Sequence, residues 1–128
     1  MFVVCARLCG RTLTMKTIII NNLEWQLDDD GTKRTWEDSI IYATTLGDGW
    51  RLPTIGELFS IIDFTVYKPA CKIDSCRSSY YWSSSPYAYG SSYAWYVNFY
   101  DGFVGNYFKD NHNYARYVRD LRAIQQGG

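Results

Sequence analysis

The segment AWYVNFYDGFV, residues 94–104, constrains this chain more than any other. Trp95, Val97 and Phe99 alternate with Tyr96, Asn98 and Tyr100, and a period of two sends successive side chains to opposite faces of a strand. Asp101-Gly102 is a turn signal, because glycine takes a positive φ without steric cost. Phe103-Val104 then opens a return strand. The expectation is an antiparallel hairpin with Trp95, Val97 and Phe99 on the core face and the tyrosines on the other. Residues 80–118 hold ten of the 12 tyrosines and show no helical period, so the sheet extends through this region. A last strand is expected over Ala115–Arg119.

The first half reads differently. Ile18–Leu27 is β-branched and ends in Trp25-Gln26-Leu27, which predicts a strand. The run Asp28-Asp29-Asp30-Gly31 predicts a solvated turn, since the alternating ligands and distal Glu of a calcium loop are missing. Thr35 followed by Asp38 caps a helix carrying Trp36, Ile40, Ala43 and Thr44, and Gly47 stops it. Thr54 with Glu57 repeats the device after Pro53, and Leu58, Ile61 and Ile62 supply an apolar stripe. Between these helices Trp50 and Leu52 anchor the connection, and Arg51 with Glu57 reads as capping and a structural ion pair. Strand, two helices and then several antiparallel strands make an α+β domain, with two helices packed on antiparallel sheet.

Composition narrows the function. A chain of 128 residues supports one core. Thirteen basic residues balance 13 acidic ones, which argues against nucleic acid as a partner. No apolar run reaches the ~20 residues of a membrane span, so no membrane insertion is expected. Cys5/Cys9 and Cys71/Cys76 lack zinc spacing, and His112 is the one histidine; no metal and no cofactor are expected. Cys71 and Cys76 form either a disulfide or two free thiols. Residues 1–14 read as a dispensable arm or as lying upstream of a natural start at Met15, leaving 15–128 as a single domain. Arg7 and Arg11 interrupt what would be a signal-peptide core.

GDGWRLPTIGEL at 47–58, YWSSS at 81–85, AWYVNFYDG at 94–102 and RYVRD at 116–120 occur in the order seen in one bacterial and viral family. The chain resembles the family named after the C-terminal domain of collagen-like adhesins, over about residues 20–122. The resemblance implies a C-type lectin-like fold in which Trp50, Trp82, Trp95 and Val118 are scaffold. The sugar-site tripeptides of calcium-dependent lectins have no counterpart here, which implies calcium independence. Nothing about Cys71 or Cys76 matches the activated cysteines of formylglycine-generating enzymes, a distant alternative of related architecture.

The variable proteins of diversity-generating retroelements share that fold and fit better. In them, adenine-directed mutagenesis turns AAY codons into NNY, which cannot encode Glu, Gln, Lys, Met or Trp. Residues 80–118 contain no Glu, Gln or Met, one Lys (Lys109) and two Trp (Trp82, Trp95). The expected ligand surface is one exposed face made by Tyr87, Tyr89, Ser91, Tyr93, Tyr96, Tyr100, Phe103, Tyr107, Phe108, Asp110, His112 and Tyr117. Tyrosine supplies rigid contact area with a hydroxyl at small entropic cost, and contiguous exposed aromatics mark interaction sites. The partner is a protein or glycan ligand on another cell or virion, and display on a virion or cell surface is expected. His112 faces no Ser or Cys nucleophile in any defined pattern, so no enzyme is expected. A fixed-specificity adhesin or glycan-binding module of the same fold is the alternative.

Overall fold

The computed structural model describes residues 2–8 and 11–121. In chain order it contains β1 (Phe2–Leu8), β2 (Arg11–Ile20), β3 (Leu23–Gln26), α1 (Trp36–Leu46), α2 (Ile55–Phe59), β4 (Tyr80–Pro86), β5 (Tyr93–Asn98), β6 (Phe103–Phe108) and β7 (Val118–Asp120). The strands form two antiparallel sheets, ordered β1-β2-β3-β7 and β4-β5-β6. The α+β class with two helices on antiparallel sheet is therefore met. Within the segment 1–14, Phe2–Leu8 pairs antiparallel with residues 11–17. Met1, Cys9, Gly10 and the polar tail from Arg122 lie outside the described residues.

The strand expected over Ile18–Leu27 is instead a tight hairpin. Asn21 and Asn22 both take positive φ, 56° and 61°, and pair Ile20 with Leu23 and Ile18 with Trp25 across the turn. Two left-handed residues make the turn whose twist matches flanking strands, and Asn tolerates that conformation best after Gly.

Both helix starts follow the caps. Thr35 Oγ1 accepts from Asp38 N, and Thr54 with Glu57 forms a complete capping box. Helix α2 stops after five residues, so Ile61 and Ile62 leave the helical stripe. They remain core residues because the chain turns there and bridges to Cys71, with Lys72 N donating to Ile61 O at 2.8 Å. Arg51 pairs with both Glu57 oxygens at 2.7 and 2.9 Å and reaches Asp120 at 3.0 Å, as the ion-pair reading expects. That guanidinium holds the Glu57 carboxyl below the usual glutamate range. The last strand is shorter than expected and starts only at Val118.

The β4-β5-β6 sheet is covered on both faces. Trp25, Leu58, Ile61, Tyr81, Val97, Phe99 and Val118 form a core on one side. Ala43, Trp50, Leu52, Trp82, Ala94, Tyr96 and Tyr117 form a core on the other, packed by Trp36, Ile40 and Leu46 of α1. Trp50 and Trp82 are thus scaffold. Trp95 is only half-buried and belongs to neither cluster, packing edge-on against Tyr87 at 5.3 Å. It lies two residues before Val97, nearer the start of β5.

The aspartate turn is not wholly solvated. The Asp29 side chain is only 3% exposed and accepts from the Tyr81 hydroxyl and from Arg77 at 3.1 Å. Arg116, also buried, lies 3.6 Å from the same carboxylate and donates to the Gln26 and Leu27 carbonyls at 2.7 and 2.6 Å. A buried carboxylate between two guanidiniums and a phenol fixes the turn to β4. Cys71 and Cys76 are buried free thiols.

Candidate functional site

The 80–118 aromatics do not share one exposed face. Even-numbered residues of β5 point to the Trp82 side and odd-numbered ones to the Tyr81 side, so the tyrosines divide into separate groups.

On the Trp82 side Tyr80 stacks on Tyr96, with centroids 4.6 Å apart and planes 5° apart. Tyr107 meets both rings edge-on at 6.0 and 5.9 Å. The register places Gly105 opposite Tyr96, and a Cβ on Gly105 would lie 3.1 Å from the Tyr96 hydroxyl. The missing side chain is what lets the Tyr96 ring lie down across β6. Tyr96 is consequently 6% exposed, and burial, reinforced by neighbouring Tyr80, pushes its phenol up to about 12. Tyr96 is therefore a core residue, contrary to its expected exposure. Tyr117 is a second correction: it is buried, its hydroxyl donates to Ser39 O at 2.7 Å, and its ring packs on Tyr42 at 5.7 Å. Burial pushes that phenol up as well. A tyrosine that faces a helix and finds a backbone acceptor for its hydroxyl behaves as a large apolar residue.

The second group lies at the end of β5, beside the 87–92 loop. Tyr93 stacks on its cross-strand partner Phe108 at 4.5 Å. Tyr87 contacts Tyr89 at 5.9 Å, Tyr93 at 6.3 Å and Trp95 at 5.3 Å. Tyr89 is 91% exposed and Phe108 53%. Ser91, on the same loop, is exposed. Next to Phe108 opens a cleft of about 420 Å³ lined by Thr35, Trp36, Glu37, Ser92, Phe108, Lys109 and Asp110. Backbone bonds from Trp36 N to Lys109 O and from Lys109 N to Ser92 O hold its walls together at 3.0 and 2.8 Å. The Lys109 ammonium sits 4.3 Å over the Trp36 ring. Aromatic walls with an ammonium and two carboxylates at the rim suit a partner offering both apolar surface and hydrogen-bonding groups.

The third group surrounds the β5–β6 connection. The connection is a four-residue loop, not a two-residue turn: Gly102 N donates to Asn98 O at 2.8 Å, and Asn98 still pairs with Phe103. Gly102 has φ of 90° and packs on Phe64 and Ile62. Tyr100 meets Tyr67 edge-on at 6.3 Å, under the Lys68 ammonium. Phe59, Phe64, Tyr67 and Tyr100 are all exposed. Phe59, Phe64 and Tyr67 were not expected here. Phe59 falls outside the Leu58–Ile61–Ile62 stripe, which is the signal that could have found it; the other two come into place through Lys68 N to Tyr100 O and Ala70 N to Phe99 O. Trp36 was likewise read only as a helix-face residue. Phe103, Tyr107, Asp110 and His112 are exposed as expected, and Tyr87 and Tyr93 are half-buried.

One family model covers residues 19–119, that of the Lcl C-terminal domain. The chain belongs to the Lcl C-terminal domain family. The match runs from the end of β2 into β7 and so includes all three aromatic groups. Lcl membership suggests an adhesin-like or surface-binding role. Among curated proteins none matches the chain. No helix among the described residues of this Lcl-family domain is long and apolar enough to cross a membrane.

Proposed function

We propose that this domain is a non-enzymatic binding module with a C-type lectin-like fold, a diversity-generating-retroelement variable protein that works without calcium or cofactor. Its ligand surface is the rim formed by Tyr87, Tyr89, Ser91, Tyr93, Phe108, Asp110 and the Trp36 cleft, with Tyr100, Phe103, Tyr107 and His112 as flanking positions. The observation that carries the reading is the pairing of extreme exposure with a fixed base: Tyr89 is 91% exposed on a loop whose neighbour Tyr93 is stacked on Phe108. Exposed aromatics on a rigid support resemble paratope chemistry. The NNY pattern also aligns with burial. Every exposed residue between 80 and 118 is of a kind NNY encodes, and the three exceptions, Trp82, Trp95 and Lys109, are buried or half-buried. The partner is a protein or glycan on another cell or virion.

Sequencing this locus across its source population tests the reading. Variation confined to adenine-derived positions at codons such as 89, 91, 108 and 110, sparing those for Tyr96 and Tyr117, is the expected result. An invariant locus, or variation that includes the buried tyrosines, overturns it and leaves a fixed-specificity adhesin of the same fold.

A further inference from the structure

Strand β6 ends its sheet, and among the described residues nothing pairs with its outer edge. On the opposite edge of that sheet, β4 is covered by the following chain: Trp82 N donates to Tyr114 O and Tyr114 N to Tyr80 O, each at 3.0 Å. No described strand covers β6. The ladder parity identifies its free groups. Phe99 N donates to Ser79 O at 2.9 Å and Trp95 O accepts from Ser83 Oγ at 2.8 Å, so odd residues of β5 address β4. Residues 94, 96 and 98 therefore address β6, and their partners Tyr107, Gly105 and Phe103 turn inward. Val104 and Asn106 are left with N–H and C=O pointing away from the sheet, where no described group meets them.

Natural edge strands are blunted by charge, proline or a covering segment. Between Phe103 and Phe108 this strand, FVGNYF, has neither proline nor charge. Phe103, Asn106, Tyr107 and Phe108 are exposed along it.

We infer that β6 pairs antiparallel with β6 of a second copy of this chain about a two-fold axis at Gly105, joining two three-stranded sheets into one of six strands. The sequence is self-complementary in that register. Val104 faces Asn106 of the second copy, and these two outward-turned residues form two narrow pairs with about four backbone hydrogen bonds. Gly105 faces Gly105 at the non-hydrogen-bonded position where side chains come closest, and glycine leaves that crossing unobstructed. Phe103 faces Tyr107 of the second copy on either side of it, an aromatic cross-strand pair formed twice. A shift of two residues either way loses the glycine crossing and the Phe103–Tyr107 pairs together. The seam shares Phe103 and Tyr107 with the flank of the proposed ligand surface, but its test reads association of the free protein and needs no ligand.

Sedimentation of the free protein over a wide concentration range, about 1 μM to 1 mM, tests it. The expected mass rises from 14.9 kDa toward twice that value. Asn106→Pro removes an outward N–H that β5 does not use, and Phe103→Lys places a charge opposite Tyr107. Each should weaken dimerisation at least tenfold, with the circular dichroism spectrum unchanged. If the proline disturbs folding, the lysine variant decides alone, because Phe103 is 58% exposed. A monomer throughout the range, a higher oligomer, or a dimer indifferent to Phe103→Lys overturns the inference.

Discussion

Replacing Tyr96 by alanine and, separately, Tyr89 by alanine separates the two kinds of tyrosine in this domain. Tyr96 is 6% exposed and Tyr89 91%. The Tyr96 ring fills the space between the stacked Tyr80 at 4.6 Å and Tyr107 at 5.9 Å, with Phe103 at 6.4 Å. Truncating a buried aromatic costs about 3–5 kcal/mol, through lost transfer energy plus the cavity left behind. The surrounding rings lie partly on the surface and can collapse inward, which places the expected cost near the lower end, about 3 kcal/mol. In a domain of this length each kcal/mol moves the melting temperature by roughly 3–5 °C, so Tyr96→Ala should melt about 10–15 °C lower. In urea, with a slope of about 2 kcal/mol/M, the midpoint should fall by ~1.5 M at constant slope. Tyr89→Ala should stay within ~0.5 kcal/mol of the parent, as surface substitutions do. Paired urea titrations followed by tryptophan fluorescence measure both. A Tyr96→Ala loss below ~1 kcal/mol would refute the two-sided burial of β5 and return Tyr96 to the candidate ligand surface.

Two further outcomes are expected. Gly102→Ala meets both a φ of 90° and a Cβ site 2.6 Å from the Phe64 ring and 2.9 Å from the Ile62 methyl. It should destabilise by ~2 kcal/mol in the same titrations, with Phe64→Ala recovering part of the loss. The Glu57 carboxyl is held below its ordinary 4.5 by Arg51. A lowered folded-state value stabilises at pH above that ordinary value and is lost as pH falls through the folded one. The stability difference between the parent and Glu57→Gln should therefore be ~1 kcal/mol at pH 7 and shrink below about pH 4.5; a difference constant from pH 7 to pH 3 would assign Glu57 a purely steric role.

Local chemistry was legible in the sequence wherever a short-range rule decides the outcome. Thr35, Thr54 and Glu57 cap as their spacing predicts, because a capping bond spans three residues and needs nothing distant. The Asn21-Asn22 hairpin was also local, but the β-branched residues on either side read through it as one strand. What the sequence left open was which strand face is covered. Alternation divides β5 into two faces and is silent on burial when both are packed, here by α2 and β3 on one side and α1 on the other. Tyrosine makes the ambiguity worse, since its ring suits a core and its hydroxyl suits a surface. Tyr117 resolved inward only because Ser39 O, 78 residues away in sequence, accepts its hydroxyl. Two-sided burial has a consequence for the proposed diversification. A central strand packed on both faces tolerates few substitutions, so varied positions must lie where the sheet stops: the 87–92 loop, the 100–103 connection and the 110–112 turn. The first and last of these flank Phe108 and the Trp36 cleft. The proposed diversity would therefore be confined to a rim, and the buried tyrosines, though identical in kind, lie behind it as support.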